Sequence, residues 1–205
     1  MFTGLIREIA TVKGYQNNIL TIQSKHQAKL GDSIAINGVC LTVINVHSDG
    51  FDLELADETR SIIDESKLNG RVHMEPAMQL GDRFEGHIVQ GHVDCVGKIV
   101  QINTRENGVD YIIKVDPKFI IYIAPKGSIT IDGVSLTIND VYDDTFRVTI
   151  IPHTLKETLI GNYQIGSRVN IETDLFARYI DHILKHRSQK KSMSWSDIDQ
   201  IQMSF

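Results

Sequence analysis

The chain contains no run of about 18 apolar residues, the length a membrane-spanning helix needs, so membrane insertion is not expected. Its first ten residues, MFTGLIREIA, lack both the basic start and the apolar centre of a secretory signal, and a cytoplasmic location is the expectation. Basic residues are in short supply. A net charge of −5 argues against a surface built for phosphate backbones, which gathers Lys and Arg on one face, so nucleic acid is not an expected partner. Cysteine is scarce too: Cys40 and Cys95 are too few for a disulfide framework and read as thiols. No glycine-rich segment follows a strand and opens a helix, so phosphate-loop and dinucleotide-binding chemistry are absent and no cofactor is expected. His87, His92 and Cys95 fit no standard zinc spacing, and no second cluster supplies a fourth ligand; no metal is expected.

What is present is an echo. Ile36 to Val46 reads INGVCLTVINV, and ninety-five positions later (131 − 36 = 95) Ile131 to Val141 reads IDGVSLTINDV. The match extends through Ser33/Ser128, Ile34/Ile129, Phe51/Phe146 and Thr59/Thr154, far beyond what average residue usage gives by chance. With a small change of length, Arg71-Val72-His73-Met74-Glu75 also aligns with Arg168-Val169-Asn170-Ile171-Glu172. Two copies fit a paired domain; a solenoid needs at least three repeats. The expected division is residues 1–90, 91–173, a helix over 174–187 and a polar extension over 188–205.

Within each copy, short runs rich in Val, Ile, Thr and Phe are separated by Gly, Asn and Asp turns, the pattern of antiparallel β structure. The runs are Leu20–Ser24, Ser33–Ile36, Cys40–Val46, Phe51–Leu55 and Val72–Glu75, then Ile112–Val115, Ser128–Ile131, Ser135–Val141, Phe146–Ile151 and Val169–Thr173. Asn37-Gly38 and Asp132-Gly133 predict two-residue hairpin turns, because both central residues of a type I′ turn need positive φ. Each copy is expected to close into a small barrel, which removes exposed sheet edges. After Glu172 the period changes. Leu175, Phe176, Tyr179, Ile180, Ile183 and Leu184 fall at helical spacing, capped by Thr173 or Asp174, with Arg178, Asp181 and Lys185 opposite. Such a stripe must be buried on a barrel or on another subunit, and assembly is the favoured reading. Trp195, Ile198 and Ile201 predict a second short helix or a mobile extension.

The candidate chemistry sits where the copies differ. Cys40 faces Ser135, Asn37 faces Asp132 and Glu58 faces His153 across the duplication, as though two halves bind similar ligands and do different work. Taken singly, Cys40 reads as a small buried hydrophobe, Asp132 as a turn former, Thr42 and Thr137 as strand residues, and Lys126 as a solvated charge. Repetition beside Cys40 and Ser135 gives the threonines a ligand-contact reading. His87 and His92, in the glycine-dense junction Phe84 to Cys95, read either as caps of a tight turn or as the lining of a pocket between domains.

Six motifs in order carry a resemblance: MFTG (Met1 to Gly4), NGVCLTV (Asn37 to Val43), GHIVQGHVD (Gly86 to Asp94), KGSITIDGVSLT (Lys126 to Thr137), IPHTLKETLIG (Ile151 to Gly161) and VNIETDLFARYI (Val169 to Ile180). The chain resembles the riboflavin synthase family from Met1 to about Lys185. The resemblance implies an all-β fold of two tandem six-stranded Greek-key barrels, related by internal duplication, with a C-terminal α-helix. It implies dismutation of two molecules of 6,7-dimethyl-8-ribityllumazine, one giving a four-carbon unit to the other, to form riboflavin and 5-amino-6-(ribitylamino)uracil, with no metal or redox cofactor. It also implies a homotrimer held by the C-terminal helix, active sites between the N-terminal barrel of one chain and the C-terminal barrel of its neighbour, and association with lumazine synthase.

Carried over residue by residue, the resemblance places Gly4, Leu5, Ile6, Cys40, Leu41, Thr42, Glu54, Leu55, Ala56, Asp57, Glu58 and Thr59 in the N-barrel pocket. Gly91, His92, Val93, Lys126, Ser135, Leu136, Thr137, Thr149, Ile150, Ile151, Pro152, His153 and Thr154 fall in the C-barrel pocket. The reaction needs a base for the acidic C7 methyl of the donor, a nucleophile or activated water at C7 of the acceptor, and stacked rings. Cys40 and Ser135 are expected near the reacting carbons, His92 in proton transfer, and Asp132 or Asp174 as orienting carboxylate. The chain departs from the family's usual pattern at Glu85, at Arg60-Ser61-Ile62 and at Pro76-Ala77. The alternative on the same scaffold is a non-catalytic lumazine- or flavin-binding protein of the antenna type. Such relatives lose reacting-pocket residues, whereas Cys40, His87, His92, Asp132, Ser135 and Thr137 are all present here.

Overall fold

The computed structural model describes residues 1–188. The element expected around Trp195, Ile198 and Ile201 lies outside the described residues. Each copy closes into a six-stranded antiparallel barrel. The first uses β1 (Glu8–Gln16), β2 (Ile19–Gln23), β3 (Ser33–Ile36), β4 (Val39–His47), β5 (Gly50–Glu54) and β6 (Arg71–Pro76), in the order β1-β2-β5-β4-β3-β6. The second repeats that order with β7 (Cys95–Arg105), β8 (Gly108–Lys114), β9 (Ser128–Ile131), β10 (Val134–Val141), β11 (Thr145–Ile150) and β12 (Arg168–Thr173). Alternation fills the interiors: Leu20 and Ile22, Leu41 and Val43, and Phe51 and Leu53 line the first core, and Ile113, Phe146 and Val148 belong to the second.

Two strands were not legible as apolar runs. In β1 only Ala10 is fully buried, and in β7 no residue after Ile99 is, so neither shows a full alternation. Short helices also follow the barrels' fifth strands: α1 (Asp57–Ile62) after β5 and, with α2 (Pro117–Ile120) lying between β8 and β9, α3 (Pro152–Glu157) after β11.

The hairpin turns form as their residues require. Asn37 and Gly38 sit at φ 46° and 80°, Asp132 and Gly133 at 47° and 82°. These two turns are also where the barrels meet. A Cβ on Gly38 would lie 2.7 Å from the backbone nitrogen of Gly133, and one on Gly133 would lie 2.8 Å from that of Gly38. Around this contact the hydrogen bonds are reciprocal. Asn37 Oδ1 accepts from the His73 N–H and Asp132 Oδ1 from the Asn170 N–H. Across the interface, the His73 ring is bonded to the Asp132 carbonyl and the Asn170 amide to the Asn37 carbonyl. The barrels are therefore joined about a pseudo-two-fold axis between two glycines.

The last helix, α4 (Leu175–Ser188), inverts the simple amphipathic expectation. Its polar edge faces its own barrel, where Asp181 accepts a hydrogen bond from Tyr122 and Arg178 reaches inward. Phe176, Tyr179, Ile180, Ile183 and Leu184 are each more than half exposed. The apolar stripe is thus left uncovered among the described residues.

Gly38→Ala should lower the free energy of unfolding by roughly 2 kcal/mol or more, since it combines a left-handed backbone with a backbone clash at the barrel contact. Urea unfolding of the variant checks this, and wild-type stability would show that the turns do not bear on one another.

Candidate active site

Each barrel is preceded by a short leading segment, residues 2–6 before β1 and residues 89–93 before β7, equivalent at an offset of 87 (89 − 2 = 87). Both are clasped by a carboxylate of their own barrel. Glu75 accepts from the N–H groups of Thr3 (2.8 Å) and Gly4 (3.0 Å), and Glu172 from those of Gln90 (2.7 Å) and Gly91 (2.9 Å). Both then reach across to the other barrel. The Gly4 carbonyl accepts from Ser135 N–H and the Gly91 carbonyl from Cys40 N–H, each at 2.8 Å. Ile6 packs against the second core, and Val93 against the first. Phe2 and Val89, paired in a β-bridge, mark the axis of the exchange.

This exchange corrects the expected grouping. Gly4, Leu5 and Ile6, assigned to the N-barrel pocket, belong with Ser135 in the C-barrel; Gly91, His92 and Val93, assigned to the C-barrel pocket, belong with Cys40 in the N-barrel. The reason is geometric: only glycine fits at the crossing points. A Cβ on Gly4 would lie 2.6 Å from Ser135 Cβ and one on Gly91 2.6 Å from Cys40 Cβ, both at φ 78°.

The N-barrel site is a cavity of about 400 Å³ lined by Cys40, by Glu58, Thr59, Ile62 and Ile63 at α1, by Gly91 to Asp94, and by Arg178 of α4. That size suits one small bicyclic ligand. Burial pushes the Cys40 thiol up, so it is held protonated at neutral pH. The C-barrel site is built differently. His87, delivered by the linker after β6, places Nδ1 2.8 Å from Ser135 Oγ, and burial pushes its imidazole down, keeping it neutral, with the Asp174 carboxylate acting weakly the other way. A neutral imidazole bonded to a hydroxyl can take its proton.

The remaining expected residues fall into three settings. Leu41, Leu55 and Ile150 are core residues of the barrels, so only their backbones can reach a ligand. Thr42, Glu54, Ala56, Asp57, Lys126, Thr137, Ile151, Pro152 and His153 are exposed, while Leu136, Thr149 and Thr154 are half-buried. Lys126 holds φ 67° where its repeat partner is Gly31 at 86°, so its side chain is kept in a conformation that favours glycine. Asp174 accepts from Phe176 N–H at the start of α4. Asp132 is placed elsewhere: fully buried at the barrel contact, its carboxylate accepts from Asn170 N–H, Tyr163 hydroxyl and Lys67 ammonium. That full set of donors gives Asp132 a structural use and keeps it out of either pocket. Among the described residues, no three His, Cys, Asp or Glu side chains are grouped to share a metal ion. The His87–Ser135 pair and the inward reach of Arg178, placed on the helix face opposite the apolar stripe, were not legible in the sequence, because each depends on contacts between segments far apart in the chain.

The architecture defines a protein of two closed six-stranded barrels that repeat one strand order. The lumazine binding domain model matches residues 3–77 and 90–174. Riboflavin synthase of Actinobacillus pleuropneumoniae is 43% identical, with 97% of each chain covered, and that of Bacillus subtilis is 40% identical over 94% of each. The chain belongs to the riboflavin synthase family. Crystal structures of LumP share the fold, at TM-score 0.75 and 22% identity for the complex with 6,7-dimethyl-8-(1'-D-ribityl) lumazine, covering 84% of this chain and 99% of that one. The complex with flavin mononucleotide gives 0.72 and 21%, covering 85% and 99%.

The two thiols differ in environment, since burial and the Asp94 carboxylate push Cys95 up to about 12 while Cys40 is half-buried at a cavity wall. Iodoacetamide at pH 8 should label Cys40 slowly and leave Cys95 unlabelled in the native protein, by peptide mass analysis. Equal labelling would contradict the packing described.

Proposed function

We infer that the protein is a riboflavin synthase, converting two 6,7-dimethyl-8-ribityllumazine molecules into riboflavin and 5-amino-6-(ribitylamino)uracil. The carrying observation is near-full-length identity of about 40% to riboflavin synthases in a chain that keeps both halves of the duplicated site. Two substrates supply every atom of two products, so a four-carbon unit leaves one ring and joins the other with no net oxidation. One ring must lose a proton from its C7 methyl group; the other must take a nucleophile at C7. The Ser135–His87 pair, with its neutral imidazole, suits activation of the hydroxyl or of a water beside it. Cys40 and His92 line the other pocket, where the protonated thiol can donate a hydrogen bond and His92 can move a proton. Holding two rings face to face supplies much of the rate.

The cavity beside Cys40 is sized for one ring, so a reaction between two rings calls for a second barrel to face it. Cys40 and Ser135 are each held by a different leading segment, Gly91 against Cys40 and Gly4 against Ser135, which supports a site shared between subunits. The uncovered stripe of α4 supports a homotrimer assembled through that helix. Retention of Cys40, Ser135, His87 and His92 favours turnover over the antenna-type alternative.

Purified protein incubated with 6,7-dimethyl-8-ribityllumazine should release riboflavin, followed by its absorbance, and Cys40→Ser should lower kcat by about tenfold or more with an unchanged circular-dichroism spectrum. Tight binding without riboflavin formation would favour the antenna-type reading, and wild-type kinetics in the variant would return Cys40 to packing alone.

A further inference from the structure

The two leading segments are held alike up to a point. Glu75 clasps Thr3 and Gly4 with no ion pair to any cation among the described residues, so the scaffold seats a leading segment with the carboxylate alone. At Glu172 a clamp has been added. Arg178, from the first turn of α4, places Nη1 2.9 Å from Asp94 Oδ1, and Nη2 2.9 Å from Gln90 Oε1 and 3.7 Å from Glu172 Oε1. The other Asp94 oxygen accepts from the N–H and hydroxyl of Thr173, both at 2.7 Å. None of this has a counterpart in the first copy. The position of Asp94 is Arg7, that of Thr173 is Pro76, which has no N–H, and that of Arg178 is Gly81. The clamped residues also line the Cys40 cavity: His92, Asp94 and Arg178 all face it, and Arg178 Nε is buried there without a hydrogen-bond partner.

We propose that Arg178 is a positioning residue for the Cys40 pocket, tying the segment that carries His92 to the seating of α4 on the second barrel. The proposal rests on the function inferred above and deepens it. α4 turns its apolar stripe outward and its polar edge onto the pocket segment, so whatever covers the stripe also steadies Arg178, and through it the His92 ring. Assembly and pocket geometry then become one event.

The clamp has a pH signature. Glu172 faces Arg178 from α4, Asp94 from its own leading segment and Cys40 across the barrel contact. Burial pushes its carboxyl up to about 7, the Gln90 and Gly91 N–H bonds and the Arg178 charge oppose that rise, and Asp94 adds to it. A carboxylate loses its second acceptor as pH falls through its pKa, so the segment loosens on acidification. Removing Arg178 raises the pKa and moves that loosening to higher pH; neutralising Asp94 moves it lower.

The test compares full-length wild type, Arg178→Ala, Arg178→Lys and Asp94→Asn, with Arg168→Ala as a remote control. Riboflavin formation is followed against pH, beside sizing and thermal melts. Turnover by wild type and by the control establishes the reaction independently of the clamp; without it the functional reading fails first. Arg178→Ala should then lose about tenfold or more in kcat/KM at pH 7, with the acid limb displaced upward. Arg178→Lys should recover part of both, and Asp94→Asn should lose rate with the limb displaced downward. Should Arg178→Ala fail to fold or assemble, Asp94→Asn decides alone, since it leaves α4 intact. Wild-type kcat/KM and an unmoved limb in the folded variants, or limbs moving the same way in Arg178→Ala and Asp94→Asn, would overturn the proposal.

Discussion

Two buried carboxylates, Glu75 and Glu172, hold the molecule's functional geometry together. Each is nearly inaccessible to water, and each is satisfied by two consecutive backbone N–H groups of the segment leading into its own barrel. A hydrogen bond to a charged group contributes about 1.5–3 kcal/mol, and a buried carboxylate left without donors costs more. The leading segments therefore have little choice of position. Once seated, Gly4 and Gly91 present their carbonyls to Ser135 and Cys40, and Ile6 and Val93 close the opposite cores. Each pocket is consequently built from both barrels, although the barrels are separately closed.

Duplication supplies two like barrels, and the departures from symmetry give them different side chains at equivalent positions. Thiol faces hydroxyl at Cys40 and Ser135. The segment against Cys40 brings His92, whereas the equivalent residue against Ser135 is Leu5, and the histidine there, His87, comes instead from the linker after β6. The two sites thus hold comparable groups by different routes. That suits a reaction in which two identical molecules must be treated differently. The barrel contact follows the same logic in reverse: Asn37 and Asp132 differ chemically yet bond the equivalent N–H groups of His73 and Asn170, so the difference there serves packing.

Much of the fold was legible in the sequence because it rests on local rules. The Asn-Gly and Asp-Gly turns, the repeat at an offset of 95 and the strands with strong alternation all appear where their residues place them. β1 and β7 were hidden because their burial is shared unevenly along their length. The grouping of the pocket residues was not legible, since the leading segments share only Gly4 and Gly91, and one common glycine cannot announce an exchange between barrels. Asp132 was hard to place for a related reason: its difference from Asn37 across the duplication suggested chemistry, but its partners Lys67 and Tyr163 come from distant parts of the chain that only tertiary packing brings together. Arg178 lay on the polar side of a helix whose apolar side, against the usual rule, is the one turned away from its own barrel.

In the proposed homotrimer, Cys40 of one subunit and Ser135 of another complete a single site. Mixing two inactive full-length variants, Cys40→Ala and Ser135→Ala, under conditions that exchange subunits tests it directly. In each mixed trimer one interface regains both native side chains, so riboflavin formation should return to about a quarter of the wild-type rate at equal proportions. Mixed trimers confirmed by mass that stay inactive would contradict a site shared between subunits.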